Sequence, residues 1–142
     1  MKILAFLQNQ WVRDPKRLMA MIERTPAARE RFLKYALFQS FTGHRLEQVF
    51  GEECMGWNWD NASPQIGSHA SSCFPPDPEH IKSVLDKHEP DVVLAFGRVA
   101  EKALRSIGGD FKLISGPHPA ARGADVISRL ECMAQELALL EG

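Results

Sequence analysis

A chain of 142 residues, 44% apolar and 25% charged, can bury a real core in one domain and has the composition of an ordinary soluble globular protein. Its net charge of −1 argues against a protein that coats nucleic acid nonspecifically. The three cysteines, Cys54, Cys73 and Cys132, are widely separated and form no CxxC pair, which excludes a four-thiolate iron–sulfur cluster and indicates neither a disulfide framework nor a zinc ribbon.

At the N-terminus, "MKILAFLQNQW" turns polar after Leu7, too early for a signal peptide, and no apolar run approaches the roughly 20 residues of a membrane span. The chain therefore reads as a cytoplasmic protein with no membrane partner. Within that stretch "KILAFLQ" is a nearly continuous apolar run, as expected of a strand buried on both faces. Residues 15 to 24 and about 27 to 40 carry helical patterns, and Thr42 is a candidate cap for a further segment, "GHRLEQVF". Charge is uneven here. Residues 11 to 45 hold eight Lys/Arg against three Asp/Glu, a local +5, and residues 46 to 101 hold three against ten, a local −7. The basic stretch is either a phosphate-contacting face or a solvated helical surface.

A strand of unplaced limits is expected near "CMGWNWD". His69 and Cys73 have the i, i+4 spacing of helix-borne metal ligands, but their Ser and Pro neighbours disfavour a helix, and no metal site is read from them. After "FPPD", Asp77 is a plausible N-cap for "PEHIKSVLDKH", with Pro78 at the tolerated first position. "DVVLAFG", residues 91 to 97, is a second buried-strand run, and the helix "RVAEKALRSI" follows it and ends at Gly108-Gly109. "FKLISG", residues 111 to 116, is a third strand. In the last segment Val126, Ile127, Leu130, Met133, Leu137 and Leu140 recur at three- and four-residue steps and form one packing face.

Strands alternating with helices imply βαβ units and a parallel sheet, with residues 2 to 7, 91 to 96 and 112 to 115 as neighbouring strands. No repeat or linker divides the chain, so residues 1–142 read as a single domain. Ligands of such sheets bind beyond the carboxyl ends of the strands. Three loops meet there: "QNQW", "GR" and "GPHPAAR". They supply the amides of Gln8, Asn9 and Gln10, the Trp11 ring, the imidazole of His118 and guanidinium groups, but no paired carboxylates and no phosphate-cradling glycine loop. Gly97 before a helix is read as a simple strand-to-helix turn or as a phosphate contact. His118 stands between two prolines, which restrict it and the residues around it, so it is either part of a rigid surface turn or a deliberately placed imidazole.

Taken together, the short N-terminal strand with its polar loop, the central "DVVLAFGRVAEKAL" and the late strand ending in "HPAAR" resemble the uracil-DNA glycosylase superfamily in order and spacing across nearly the whole chain. The "HP" pair is the specific element, similar to that family's second motif. The resemblance implies a three-layer α/β/α sandwich with a four-stranded parallel sheet, DNA (single- or double-stranded) at its carboxyl edge, and hydrolysis of the N-glycosidic bond of uracil or a related damaged base flipped from the stack, without metal or cofactor. His118 would then donate to the departing base and Asn9 would position water, a role in which an aspartate would be the stronger base. Trp11 or Phe74 would stack on the base, Asn61 would read its edge, and Arg122, Arg13 and Arg98 would meet phosphates. Arg122 is read near the N-terminus of the last helix, where a cation opposes the dipole unless an anion meets it.

The first motif, "LQNQWVRDP", lacks the leading glycine and the turn-fixing proline usual in that family, and Ala120 and Ala121 stand where many members carry an apolar wedge. The alternative function is a non-catalytic relative that binds nucleic acid, a nucleotide or a protein partner in the same cleft. Oligomeric state is not written in the sequence.

Overall fold

Ile3, Ala5 and Leu7 point to one side of their strand and Leu4 and Phe6 to the other, and all five are buried, so this strand requires helices on both faces. The computed structural model, which describes residues 1–142, supplies them. In chain order the elements are β1 (Ile3–Leu7), β2 (Gln10–Trp11), α1 (Pro15–Arg24), α2 (Arg29–Phe38), α3 (Phe41–Phe50), β3 (Asn58–Asn61), β4 (Ile66–Gly67), α4 (Pro78–His88), β5 (Val92–Phe96), α5 (Arg98–Ile107), β6 (Lys112–Gly116) and α6 (Val126–Glu141).

Four strands form one parallel sheet in the order β3-β1-β5-β6, with Leu4 opposite Asn58 on one side and Val93 on the other. The three runs expected as neighbours are neighbours, and the unplaced fourth strand is β3 on the outer side of β1. One face of the sheet packs α2, α3 and α6 through Leu37, Phe38, Leu46, Phe50, Leu130 and Met133. Its reverse packs α4 and α5 through Ile81, Val84, Ala100 and Leu104. The molecule is thus a three-layer α/β/α sandwich. On the first face Phe96 stacks on Trp59 at 5.8 Å and Phe50 meets Phe96 edge-on, a packed aromatic group in which each buried ring contributes about 1.5–3 kcal/mol.

Local chemistry explains most boundaries. Asp77 accepts from the His80 N–H at 3.1 Å and Pro78 opens α4, as the sequence indicates. Three details depart from expectation. Residues Pro26–Ala28 form a 3₁₀ turn, so the second helix begins at Arg29 and ends at Phe38. Ser40, not Thr42, caps α3: its hydroxyl oxygen accepts from the Gly43 N–H at 3.2 Å, which starts the helix before Thr42. Gly43 is required there, because a Cβ would lie 2.1 Å from the Leu37 carbonyl oxygen where α3 crosses the end of α2. The buried apolar stripe of α6 stops at Leu137, and Leu140 is 43% exposed in the last turn of the helix.

Strand order reverses about β1, which places a crevice at the carboxyl ends of β1 and its neighbours. A second, two-stranded parallel pairing, β2 with β4, fixes the loop after β1 to the loop after β3 above that crevice.

Candidate functional site

A cleft of about 320 Å³ opens at this edge and is lined by Gln8, Asn9, Gln10, Trp11, Asn61 and His118 among others. Six of the residues singled out from the sequence therefore converge. Asn9 and His118 face the same space although 109 positions separate them.

The first wall is the loop after β1. The Asn9 Nδ2 donates to the carbonyls of Gln10 at 3.3 Å and Ser72 at 3.1 Å, and its Oδ1 accepts from the Phe74 N–H at 3.2 Å. Gln8 Nε2 donates to the Phe74 carbonyl at 3.1 Å, and Gln10 Nε2 donates to the Leu33 carbonyl of α2 at 3.3 Å. These amides are the agents that hold the loop. Asn9 keeps one lone pair on Oδ1 for any further partner. Both of its donors are engaged with carbonyls, so a carboxylate here would face two carbonyl oxygens, which reverses the expectation that aspartate suits this position.

Opposite lies the loop after β6. His118 Nδ1 accepts from the Ala120 N–H at 3.0 Å. This assigns the ring proton to Nε2 in the neutral form, because a nitrogen that accepts carries no hydrogen. Burial lowers the His118 pKa below the ordinary imidazole range, so the neutral ring is the favoured state. Protonation would also set an Nδ1–H against the Ala120 N–H. From behind, Arg45 of α3 donates to the Pro119 carbonyl at 2.8 Å and braces the same turn.

Asn61 ends β3 and is only 4% exposed. Its side-chain amide makes no hydrogen bond within the protein. No polar side-chain atom sealed from solvent lacks a partner, so this amide retains contact with solvent, and the residue lines the cleft. Beside it, the Asp60 side chain is completely buried and accepts from His80 Nε2 at 2.8 Å, from Arg29 Nη1 at 3.1 Å and Nη2 at 3.3 Å, and from the Asn61 N–H at 2.8 Å. Burial alone would raise this carboxyl, but the bonds from His80 and Arg29 outweigh it and hold its pKa below the ordinary value.

The remaining candidates sit elsewhere. The Phe74 ring does not line the cleft; it packs by Gly67 while its backbone is the part that Gln8 and Asn9 grip. Gly97 supports rather than contacts. With φ of +95° it turns β5 into α5, its N–H donates to the Gly116 carbonyl at 2.8 Å, and a Cβ there would approach His118 Cβ to 3.6 Å. Arg13 and Arg98 are exposed at the starts of α1 and α5, outside the cleft and in no ion pair. Arg122, also exposed, lies four residues before α6, too far from its first turn for the expected conflict with the helix dipole.

Sequence reasoning missed four contributing residues. Ser40 and Thr42 bring the start of α3 to the cleft, Arg45 braces the His118 turn, and Asp60 anchors the strand that carries Asn61. The "S-x-x-G" start of α3 was a readable cap signal; the Asp60 partners, 31 and 20 positions away, were not. His69 and Cys73 lie in and beside a turn, and no group of three or more His, Cys, Asp or Glu stands close enough to hold a metal ion. The Cys54 thiol is buried, with its pKa pushed up to about 12. No helix is long and apolar enough to cross a membrane.

No Asp or Glu lines the cleft. Chemically it offers one fixed neutral N–H, one free amide, hydroxyls and an exposed indole, an arrangement that hydrogen-bonds a planar polar ligand and stabilises a developing oxyanion. No protein-family model matches the chain, and no curated protein matches it in sequence.

Proposed function

We propose that the cleft receives a nucleobase flipped out of DNA and that the protein hydrolyses its N-glycosidic bond, in the manner of the uracil-DNA glycosylases that the sequence resembles. The observation that carries this reading is His118, half-buried and neutral, with its tautomer set by the Ala120 N–H so that Nε2 is the donor. As the bond between base and sugar breaks, its electron pair leaves with the base, and negative charge spreads from the base nitrogen onto an exocyclic carbonyl oxygen of the base. A fixed N–H in a cleft with no carboxylate stabilises that charge without reorganising. Water adds to the anomeric carbon of the sugar, and the proton it loses balances the charge of the released base. Asn61 offers the donor and acceptor pair that matches the edge of an amide-like base, and Trp11 offers a stacking face.

Incubation with a labelled oligonucleotide carrying one uracil, single- and double-stranded, followed by alkali, is the direct test. Scission at the uracil position is expected, reduced by about two to three orders of magnitude in His118→Ala. An intact oligonucleotide, or scission unchanged in His118→Ala, overturns it. A second reading, binding of the base without cleavage, is favoured by one observation: Asn9 spends both donors and one acceptor site on the loop, which leaves a single lone pair to orient water. Saturable binding of the intact uracil oligonucleotide with no abasic product would select it.

A further inference from the structure

Beside the cleft runs a second depression of about 300 Å³ between α1 and α2, lined by Val12, Leu18, Met21, Phe32 and Tyr35 with Arg17 at its edge. The two spaces adjoin: Ala36 lines both, and Trp11 of the cleft is followed directly by Val12 of the groove. No residue of α1 is buried, so this apolar surface is not consumed by the core. Two exposed aromatic side chains line the combined surface, Tyr35 at 70% and Trp11 at 44% exposure, and Phe41, 63% exposed, lies between the cleft residues Ser40 and Thr42 in the chain. The Arg45 guanidinium lies 4.7 Å from the centre of the Phe41 ring.

Cations alternate with these rings. Arg13, Lys16, Arg17 and Arg31 are exposed and form no ion pair, within the stretch whose local charge is +5. Of the three carboxylates in the stretch, Asp14, at the groove, accepts from the Arg17 N–H as the cap of α1, Glu30 pairs with Lys87 and His88, and Glu23 is exposed on α1. Exposed rings interleaved with unpaired cations hold a flexible strand by stacking its bases and neutralising its phosphates. Taking a base from a duplex further requires a side chain that fills the gap left in the stack. Beside His118 the cleft is lined by Ala120 and Ala121, with exposed Arg122 next in the chain, and none of the three is a bulky apolar side chain.

We propose that the strand this protein takes is single-stranded DNA, and that the α1–α2 groove is a second base-stacking subsite for a nucleotide next to the one in the cleft. The proposal rests on the nucleobase reading of the cleft but not on cleavage.

Trp59 is buried and Trp57, stacked on it, is partly buried, whereas Trp11 is exposed in the cleft, so Trp11 is the ring most open to quenching by a bound strand. The probe is an oligothymidylate of about sixteen nucleotides, compared at low salt with a duplex of equal length and with vesicles containing anionic lipid. Saturable quenching by the single strand, at least about tenfold tighter than the duplex, is expected. Tyr35→Ala, at a position 70% exposed, should weaken binding by about tenfold in anisotropy of a labelled strand, with the circular dichroism spectrum unchanged. Arg17→Ala should make the log–log salt dependence shallower by about 0.7. Duplex binding equal to or tighter than the single strand, vesicle binding in its place, or Tyr35→Ala without effect would overturn the proposal. Because the probe holds no uracil, failure of the cleavage assay leaves this result standing, and uracil removal from duplex as fast as from single strand defeats this proposal alone.

Discussion

In the loop after β1, Gln8, Asn9 and Gln10 all commit their side-chain amides to backbone carbonyls or N–H groups, while in the loop after β6 the His118 ring accepts one bond from behind and leaves Nε2 unclaimed. Asn61, between them at the end of β3, makes no side-chain bond at all. Both regions are polar and both line the cleft, so polarity does not distinguish scaffold from reader. What distinguishes them is whether hydrogen-bonding capacity remains once the fold is complete. A spent amide, replaced, should unfold the loop; an unspent one, replaced, should leave the fold and alter only the ligand's affinity or fate.

The most extreme spent group is Asp60, and its loss should cost most. Asp60→Ala strands Arg29 and His80 in a mostly buried site and should lower stability by about 3–5 kcal/mol in urea unfolding. Because its folded pKa is depressed, the stability it supplies is present above the unfolded value of about 3.9 and disappears as pH falls through the folded value. Asn9→Asp comes next. Trading two donors for oxygens opposite the Gln10 and Ser72 carbonyls should destabilise by about 1–3 kcal/mol, measured in the same way; a fully stable variant would erase the contrast between the two loops.

On the unspent side, pH is the sharper probe. Burial depresses His118, so the native protein binds fewer protons than the unfolded chain; its contribution to stability is full above about pH 6.5 and shrinks below it. Base release, or binding of the uracil oligonucleotide, should stay flat down to that pH and fall along an acid limb lying below it, by at most about tenfold per pH unit. A limb above pH 6.5 would mean that another group governs the cleft. The smallest expected effect belongs to Arg122→Ala, which should reduce the salt slope for single-stranded DNA by about 0.7 and leave base preference as it was.

The layered fold was legible because its signals are local: "ILAFL" and "VVLAF" are apolar at every position, which only a doubly covered strand tolerates, and Asp77-Pro78 marks a helix start on its own. The His118 turn was legible for the same reason, since two prolines restrict it wherever it folds. β3 was not. "NWDN" looks like a polar loop until Arg29 and His80 arrive from distant helices to satisfy Asp60, and nothing within the segment announces them. The contribution of α3 to the cleft was hidden similarly, because Ser40 and Thr42 approach it only through the close crossing that Gly43 permits.

The strand order carries a consequence for biogenesis. β1 lies between β3 and β5, and both partners are synthesised after it. Until Phe96 has left the ribosome, at least one edge of the apolar "ILAFL" segment has no partner, and until Asn61 has, neither edge does. A bare, uncharged, apolar strand segment in a nascent chain is a template for pairing with other chains. Translation pauses before β5, or premature termination there, should therefore yield aggregates rather than smaller folded species, and chaperone demand during synthesis should peak over that interval.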